Sequence, residues 1–127
     1  MSLLIDTSVL IDIEKRRKET LTRLLELKKI HPAKPRLSFI SYFEFLFGLR
    51  NRSPRNKEKA QSYLDKFEIV HTNDSCVKNL VYLKEKYELP LADLIIASQV
   101  MEKGDVLITK DKDFEQIKEI EKIIILN

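Results

Sequence analysis

A single cysteine, Cys76, and two histidines, His31 and His71, occur in a chain of 127 residues. One thiol makes no internal disulfide, and so few soft ligands build no Cys- or His-rich zinc site. Any bound metal must rest mostly on carboxylate oxygens, which favours Mg²⁺ or Mn²⁺. Glycine is nearly as scarce. Gly48 and Gly104 are the only two, too few for a Walker loop or a G-x-G-x-x-G turn. No apolar run approaches the roughly 20 residues of a membrane span, so no membrane association is expected. The opening Met1-Ser2-Leu3-Leu4-Ile5-Asp6 has no basic leader and no small-residue cleavage site. No secretory signal is therefore expected, and the expected location is cytoplasmic.

What is present is a balance that folds. Hydrophobic residues make up 43% and charged residues 34%, enough for one core and too mixed for disorder. The length predicts a single domain over residues 1–127.

Leu3-Leu4-Ile5 reads as a buried strand running directly into a helix capped by Thr7 or Ser8. Leu21, Leu24, Leu25 and Leu27 repeat at helical spacing across residues 18–30, and Pro32 and Pro35 interrupt the pattern. Further strands are predicted at residues 36–40, 67–70, 105–109 and 122–126. Helices are predicted at residues 42–49, 54–65, 74–87 and 91–103, the last closed by Gly104, with a short one at 113–118. Residues 50–59 are polar and basic and read as a loop. Strands alternating with helices indicate an α/β protein with an open, mostly parallel sheet covered on both faces.

Sites in such sheets form beyond the carboxyl ends of the strands. Asp6 follows the first strand, and Asp111 and Asp113 follow the fourth. Glu44 and Asp93 fall in the first turns of helices that start at the same edge. Each has a plain structural explanation. Asp6 precedes a helix, Ser41-Tyr42-Phe43-Glu44 fits a capping box, Asp93 complements a helix dipole, and Asp111 reads as a cap. Together they weigh differently. Asp93 sits in Leu91-Ala92-Asp93-Leu94-Ile95-Ile96-Ala97, apolar nearly all round, where an unpaired charge is costly. Four converging carboxylates repel one another and raise one another's pKa. One or two divalent cations turn that cost into a binding site. Such a site suits hydrolysis of a phosphodiester, the metal polarising a phosphoryl oxygen and activating a water.

Setting Asp6, Glu44, Asp93 and Asp111 aside leaves 16 acidic against 23 basic side chains, a balance of +7. Basic runs occur at residues 15–18 and 50–59. Arg50, Arg52, Arg55 and Lys57 in the second are candidate contacts for a nucleic-acid backbone.

Four stretches together resemble the motifs of PIN-domain nucleases. They are Leu4-Ile5-Asp6-Thr7-Ser8-Val9-Leu10-Ile11-Asp12, Ile40-Ser41-Tyr42-Phe43-Glu44-Phe45-Leu46-Phe47-Gly48-Leu49, the segment around Asp93, and Leu107-Ile108-Thr109-Lys110-Asp111-Lys112-Asp113-Phe114. The short chain is similar to VapC-type toxins of prokaryotic toxin–antitoxin pairs. The resemblance implies a three-layer α/β/α sandwich and an Mg²⁺- or Mn²⁺-dependent endoribonuclease. By motif position, Asp6, Glu44, Asp93 and Asp111 would be the catalytic, metal-binding acids, with Asp113 an auxiliary acid. Thr7 or Ser8, and Thr109, would be supporting hydroxyls. It also implies a homodimer and an antitoxin partner whose helix docks nearby. The helix with Tyr42, Phe43, Phe45 and Phe47 reads either as core or as part of such a surface, and Cys76 as a buried helix residue.

Other readings compete. One is an RNA-processing nuclease of the same family without an antitoxin, and another is a non-catalytic metal-binding interaction module. A receiver-like domain needs a phosphoacceptor on the third strand, which here ends in His71-Thr72-Asn73. In a ribonuclease-H-type fold the first acidic strand leads into further strands, whereas Asp6 leads into a helix.

Overall fold

Five short segments become strands, the first of them apolar throughout: β1 (Leu3–Ile5), β2 (Arg36–Ser38), β3 (Glu68–Val70), β4 (Val106–Thr109) and β5 (Glu121–Ile124). A computed structural model describes residues 2–125. Leu126, the end of the predicted fifth strand, lies outside the described residues. The five strands form one sheet in the order β3-β2-β1-β4-β5, and every pairing is parallel. Parallel neighbours need crossover connections. Up to β4 these are supplied by α1 (Thr7–Glu14), α2 (Lys18–Ile30), α3 (Phe39–Gly48), α4 (Pro54–Gln61), α5 (Asp74–Lys86) and α6 (Leu91–Lys103), and between β4 and β5 by a 3₁₀ turn at Lys112–Gln116.

Alternation along the strands divides the core in two. Leu3, Ile5, Val106 and Ile108 join Val9 and Leu10 of α1, Leu27 of α2 and Phe45 of α3 on one face. Leu4 and Leu107 join Leu83 of α5 and Leu94, Ile96, Ala97 and Val100 of α6 on the other. The predicted three-layer α/β/α arrangement is what forms. Cys76 is buried in α5, as expected. Among the described residues no helix is long and apolar enough to cross a membrane.

The chain moves outward from β1 to β2 and β3, then returns to the far side of β1 for β4 and β5. The direction switches between β1 and β4, where open α/β sheets present a crevice at their carboxyl edge. The opposite edge is tied by Arg36, whose Nη1 donates to both oxygens of buried Asp105 at 3.3 and 3.1 Å and whose Nε donates to Glu68 at 3.4 Å.

Several boundaries differ from the sequence expectation because different hydroxyls or amides cap the helices. Ser38, not Ser41, caps α3, accepting from the Ile40 N–H at 3.2 Å, so β2 stops at Ser38 rather than residue 40. The capping box is therefore not formed. Ser41 is buried within the helix, and Glu44 is free to face elsewhere. Asn73, not Asp74 or Ser75, caps α5 by accepting from the Cys76 N–H at 2.9 Å. Asp6, not Thr7 or Ser8, occupies the cap position of α1, and its side chain makes no capping bond. Residues 54–65 divide into α4 and a 3₁₀ turn at Ser62–Lys66, and the short helix predicted at 113–118 is a 3₁₀ turn at Lys112–Gln116. Gly104 closes α6 in the left-handed region with φ 67°, a conformation glycine adopts without steric cost.

Candidate active site

β1 and β4 deliver their last residues side by side, with the Asp6 N–H donating to the Ile108 carbonyl at 3.0 Å. Asp6 is 6% exposed. Two hydroxyls converge on its Oδ2. Thr109 Oγ1 donates across the strand pair, and Ser8 Oγ donates at 3.1 Å. Both hydroxyls also accept backbone N–H groups from the stretch after β4. Thr109 takes that of Asp111 at 3.0 Å, and Ser8 takes that of Lys110 at 3.3 Å. The carboxylate after β1 and the loop after β4 are thus joined through two hydroxyls. Burial pushes the Asp6 carboxyl up, against the hydrogen bonds from Thr109 and Ser8 that favour its charged form, and Asp111 adds to the rise.

Thr7 serves a different acid. Its Oγ1 lies 2.8 Å from both Ser41 Oγ and Glu44 Oε1. A carboxylate only accepts, so the Thr7 proton goes to Glu44. This bond links the first turn of α1 to α3. It explains why a glutamate suited to capping its own helix instead projects toward the sheet edge.

Asp93 enters from α6 and is half-buried. Its carboxyl is pushed up to about 6, first by burial and then by the charges of Asp111, Asp6, Asp113 and Glu44. Four carboxylates from three other segments therefore act on Asp93 at this edge. Asp111 also performs the capping role read from sequence, its Oδ1 accepting the Asp113 N–H at 2.9 Å. Asp113 is exposed.

The donor set fits a hard, doubly charged cation in kind, being oxygen throughout, and the raised Asp93 carboxyl reflects its burial and the four negative charges around it. As the side chains stand, no group of three or more His, Cys, Asp or Glu among the described residues is placed to hold a metal ion.

The basic candidates do not join the acids. Arg50 lies 4.0 Å over the Phe47 ring and donates to the Phe47 carbonyl at 2.9 Å. Arg52 pairs with Glu14 at 2.8 Å. Arg55 is exposed on α4 and Lys57 is partly buried there. The α3 aromatics divide by face. Phe45 is core, while Phe43 and Phe47 are 57% and 54% exposed and stack with centroids 5.8 Å apart.

Asp12 is one residue that sequence reasoning passed over. It is 4% exposed, accepts from Thr20 at 2.6 Å and from Lys110 Nζ at 2.9 Å, and lies 3.6 Å from Arg17. These contacts hold its carboxyl below the usual range in spite of burial. The signal was available, because Val9-Leu10-Ile11-Asp12-Ile13 sets a charge within an apolar run, as the Asp93 segment does.

Residues 3–120 match the family described as PIN domain. No curated protein sequence matches the chain. Among solved structures, a toxin–antitoxin complex from Klebsiella pneumoniae contains a chain similar at 26% identity, with TM-score 0.82 and 99% of each chain covered. A chain of VapBC2 from Rickettsia felis, bound to a promoter DNA fragment, is similar at 21% identity with TM-score 0.83 over 98% of each. One of VapBC-1 from nontypeable Haemophilus influenzae is similar at 21% identity with TM-score 0.78, also over 98% of each.

Proposed function

Because this chain belongs to the PIN domain family, we propose that it is a divalent-metal-dependent endoribonuclease and the toxin of a toxin–antitoxin pair. The observation that carries the reading is the elevation of Asp93 to about 6 by burial and by four other carboxylates at the switch point of the sheet. A fold gains nothing in stability from gathering five acids. A cation that needs oxygen ligands, and a phosphodiester beside it, give the gathering a use.

In this reading Asp6, Glu44, Asp93 and Asp111 hold Mg²⁺ or Mn²⁺, with Asp113 beside them. An ion held there would supply Lewis-acid polarisation of a phosphoryl oxygen and a lowered pKa for water. Thr109 and Ser8 fix the rotamer of Asp6, and Thr7 fixes that of Glu44, so the acids are oriented before substrate arrives. The excess of Lys and Arg outside the acids favours a nucleic-acid backbone as the polyanion.

The toxin–antitoxin complexes among the structural neighbours support an antitoxin partner. The stacked, exposed pair Phe43 and Phe47 offers an apolar surface for a homodimer. The test is incubation of purified protein with assorted RNAs in Mn²⁺, in Mg²⁺ and in chelator. Cleavage with either metal and none with chelator is expected. Intact RNA under all three conditions would overturn the reading.

A further inference from the structure

Two basic stretches far apart in the chain, at residues 15–16 and 52–59, meet in space. Lys15, Arg16, Arg52, Lys59 and Tyr63 line a cavity of about 290 Å³ between the end of α1 and α4. The one acid on its wall, Glu14, is already paired with Arg52 at 2.8 Å. Four cations against one acid concentrate there a charge equal to the +3 of the entire chain. The Tyr63 phenol registers this field. Its pKa is lowered first by the hydrogen bond from Arg16, against slight burial, and then by the charges of Arg16, Lys59 and Lys66.

The backbone makes the same point independently. The Arg16 N–H donates to the Ile13 carbonyl at 3.1 Å and the Arg17 N–H to the Asp12 carbonyl at 3.0 Å, a Schellman closure of α1. Its left-handed position ordinarily falls to glycine. Here it is Arg16, with φ 56°, the one non-glycine residue with positive φ among the described residues. A side chain with a Cβ is strained there. What it gains is a guanidinium whose Nε donates to Tyr63 Oη at 3.4 Å at the rim of the cavity.

We propose that this cavity is an exosite that grips a backbone phosphate of the RNA at a distance from the acids. The proposal rests on the reading of RNA as substrate. Guanidinium and ammonium groups are the natural partners of a phosphodiester oxygen. The position is apt, because α1 starts at Thr7 and Ser8 beside the acids and ends at the cavity. Its eight residues place the two ends about 12 Å apart. An RNA strand held at one end of α1 is thereby presented to the acids at the other.

The test compares Arg16→Gly and Lys59→Gln with the parent protein. Arg16→Gly relieves the left-handed strain, so its melting temperature equals or exceeds the parent's, which separates binding from folding. For a long single-stranded RNA we expect KM to rise about 10-fold in the double variant with kcat unchanged. We also expect the slope of log affinity against log salt to shrink by about 0.7 per charge removed. Cleavage of a dinucleotide, whose single phosphodiester leaves none for the cavity once it lies at the acids, should be unaltered. Parental KM and salt slope in the double variant would overturn the exosite and leave the nuclease reading intact. Loss of dinucleotide cleavage together with that of long RNA would also overturn it, since the residues would then serve the acids directly. A parent that neither binds nor cuts any RNA defeats the substrate reading, and the exosite with it.

Discussion

Lys110 Nζ donates to Asp12 Oδ2 at 2.9 Å, so the lysine adjacent in sequence to Asp111 is anchored at the buried side of α1. The bond fastens the loop that carries Asp111 to the helix that carries Thr7 and Ser8. Removing the ammonium leaves a carboxylate with 5% of its side chain exposed short of one of its two charged partners, Arg17 at 3.6 Å remaining. Lys110→Met is expected to cost about 2 kcal/mol of stability, as a buried charge-assisted bond does. Urea unfolding will measure it. The double variant Asp12→Asn/Lys110→Met should lose less than the sum of the single changes, because the partners share one interaction.

Asp93 makes stability depend on pH. Its folded carboxyl keeps a proton up to about 6, against an ordinary value of 3.8. Between those values the folded state binds more protons than the unfolded, so stability falls as pH rises through the window and stays lower above it. Asp93→Asn should reduce that slope, leaving the part that comes from the raised Asp6 carboxyl. For a half-exposed group screened by solvent, the gain at pH 7 is on the order of 1 kcal/mol. The same variant should lose RNA cleavage by about 100-fold or more. Metal-free thermal melts from pH 3.5 to 7.5, with cleavage rates alongside, test both halves. A variant that melts like the parent at every pH would contradict the account of the acid cluster.

Thr109 is fully buried and bridges Asp6 to the Asp111 N–H. Thr109→Val keeps the shape and deletes both bonds. The expected cost is about 1–3 kcal/mol from the unsatisfied groups. The apparent affinity for Mn²⁺ should weaken about 10-fold, in keeping with loss of a group that orients a ligand. Calorimetric titration of the metal reads this directly. Unchanged Mn²⁺ binding would show that the bridge has no part in the site.

Away from the acids, Glu119 collects Lys86 at 2.8 Å, Tyr82 at 2.9 Å and Tyr87 at 2.6 Å. Burial opposes its charge, yet these donors hold its carboxyl down to about 2, against an ordinary 4.5. The folded state therefore releases the proton more readily, and the stabilisation is present above 4.5 and lost as pH falls from there toward 2. Glu119→Gln should flatten the acid limb of the stability curve across that window and leave cleavage at neutral pH unchanged. Melts at pH 2.5 and pH 6 distinguish the two proteins.

The apolar strand runs and the helical periodicities carried most of the architecture, because a buried parallel strand has to be continuously apolar. Leu107-Ile108 and Ile123-Ile124 needed no further information. Boundaries were harder wherever two hydroxyls competed for one role. Ser38 and Ser41 both suit a helix start, and only the packed structure shows that Ser41 is taken up by contact with Thr7. The acid cluster was legible as a juxtaposition, since strand ends and helix starts fall on one edge. The division of labour between Thr7 and Ser8 was not, because it depends on which side of α1 faces α3. The meeting of residues 15–16 with α4 was invisible for the same reason, a contact between helix ends that no periodicity encodes.

Asp6 and its bridging partner Thr109 are separated by 103 positions. During synthesis the amino-terminal acid is made early and waits, with the neighbouring slot in the sheet vacant, until β4 has left the ribosome. A nascent chain halted before that point has no assembled carboxylate cluster.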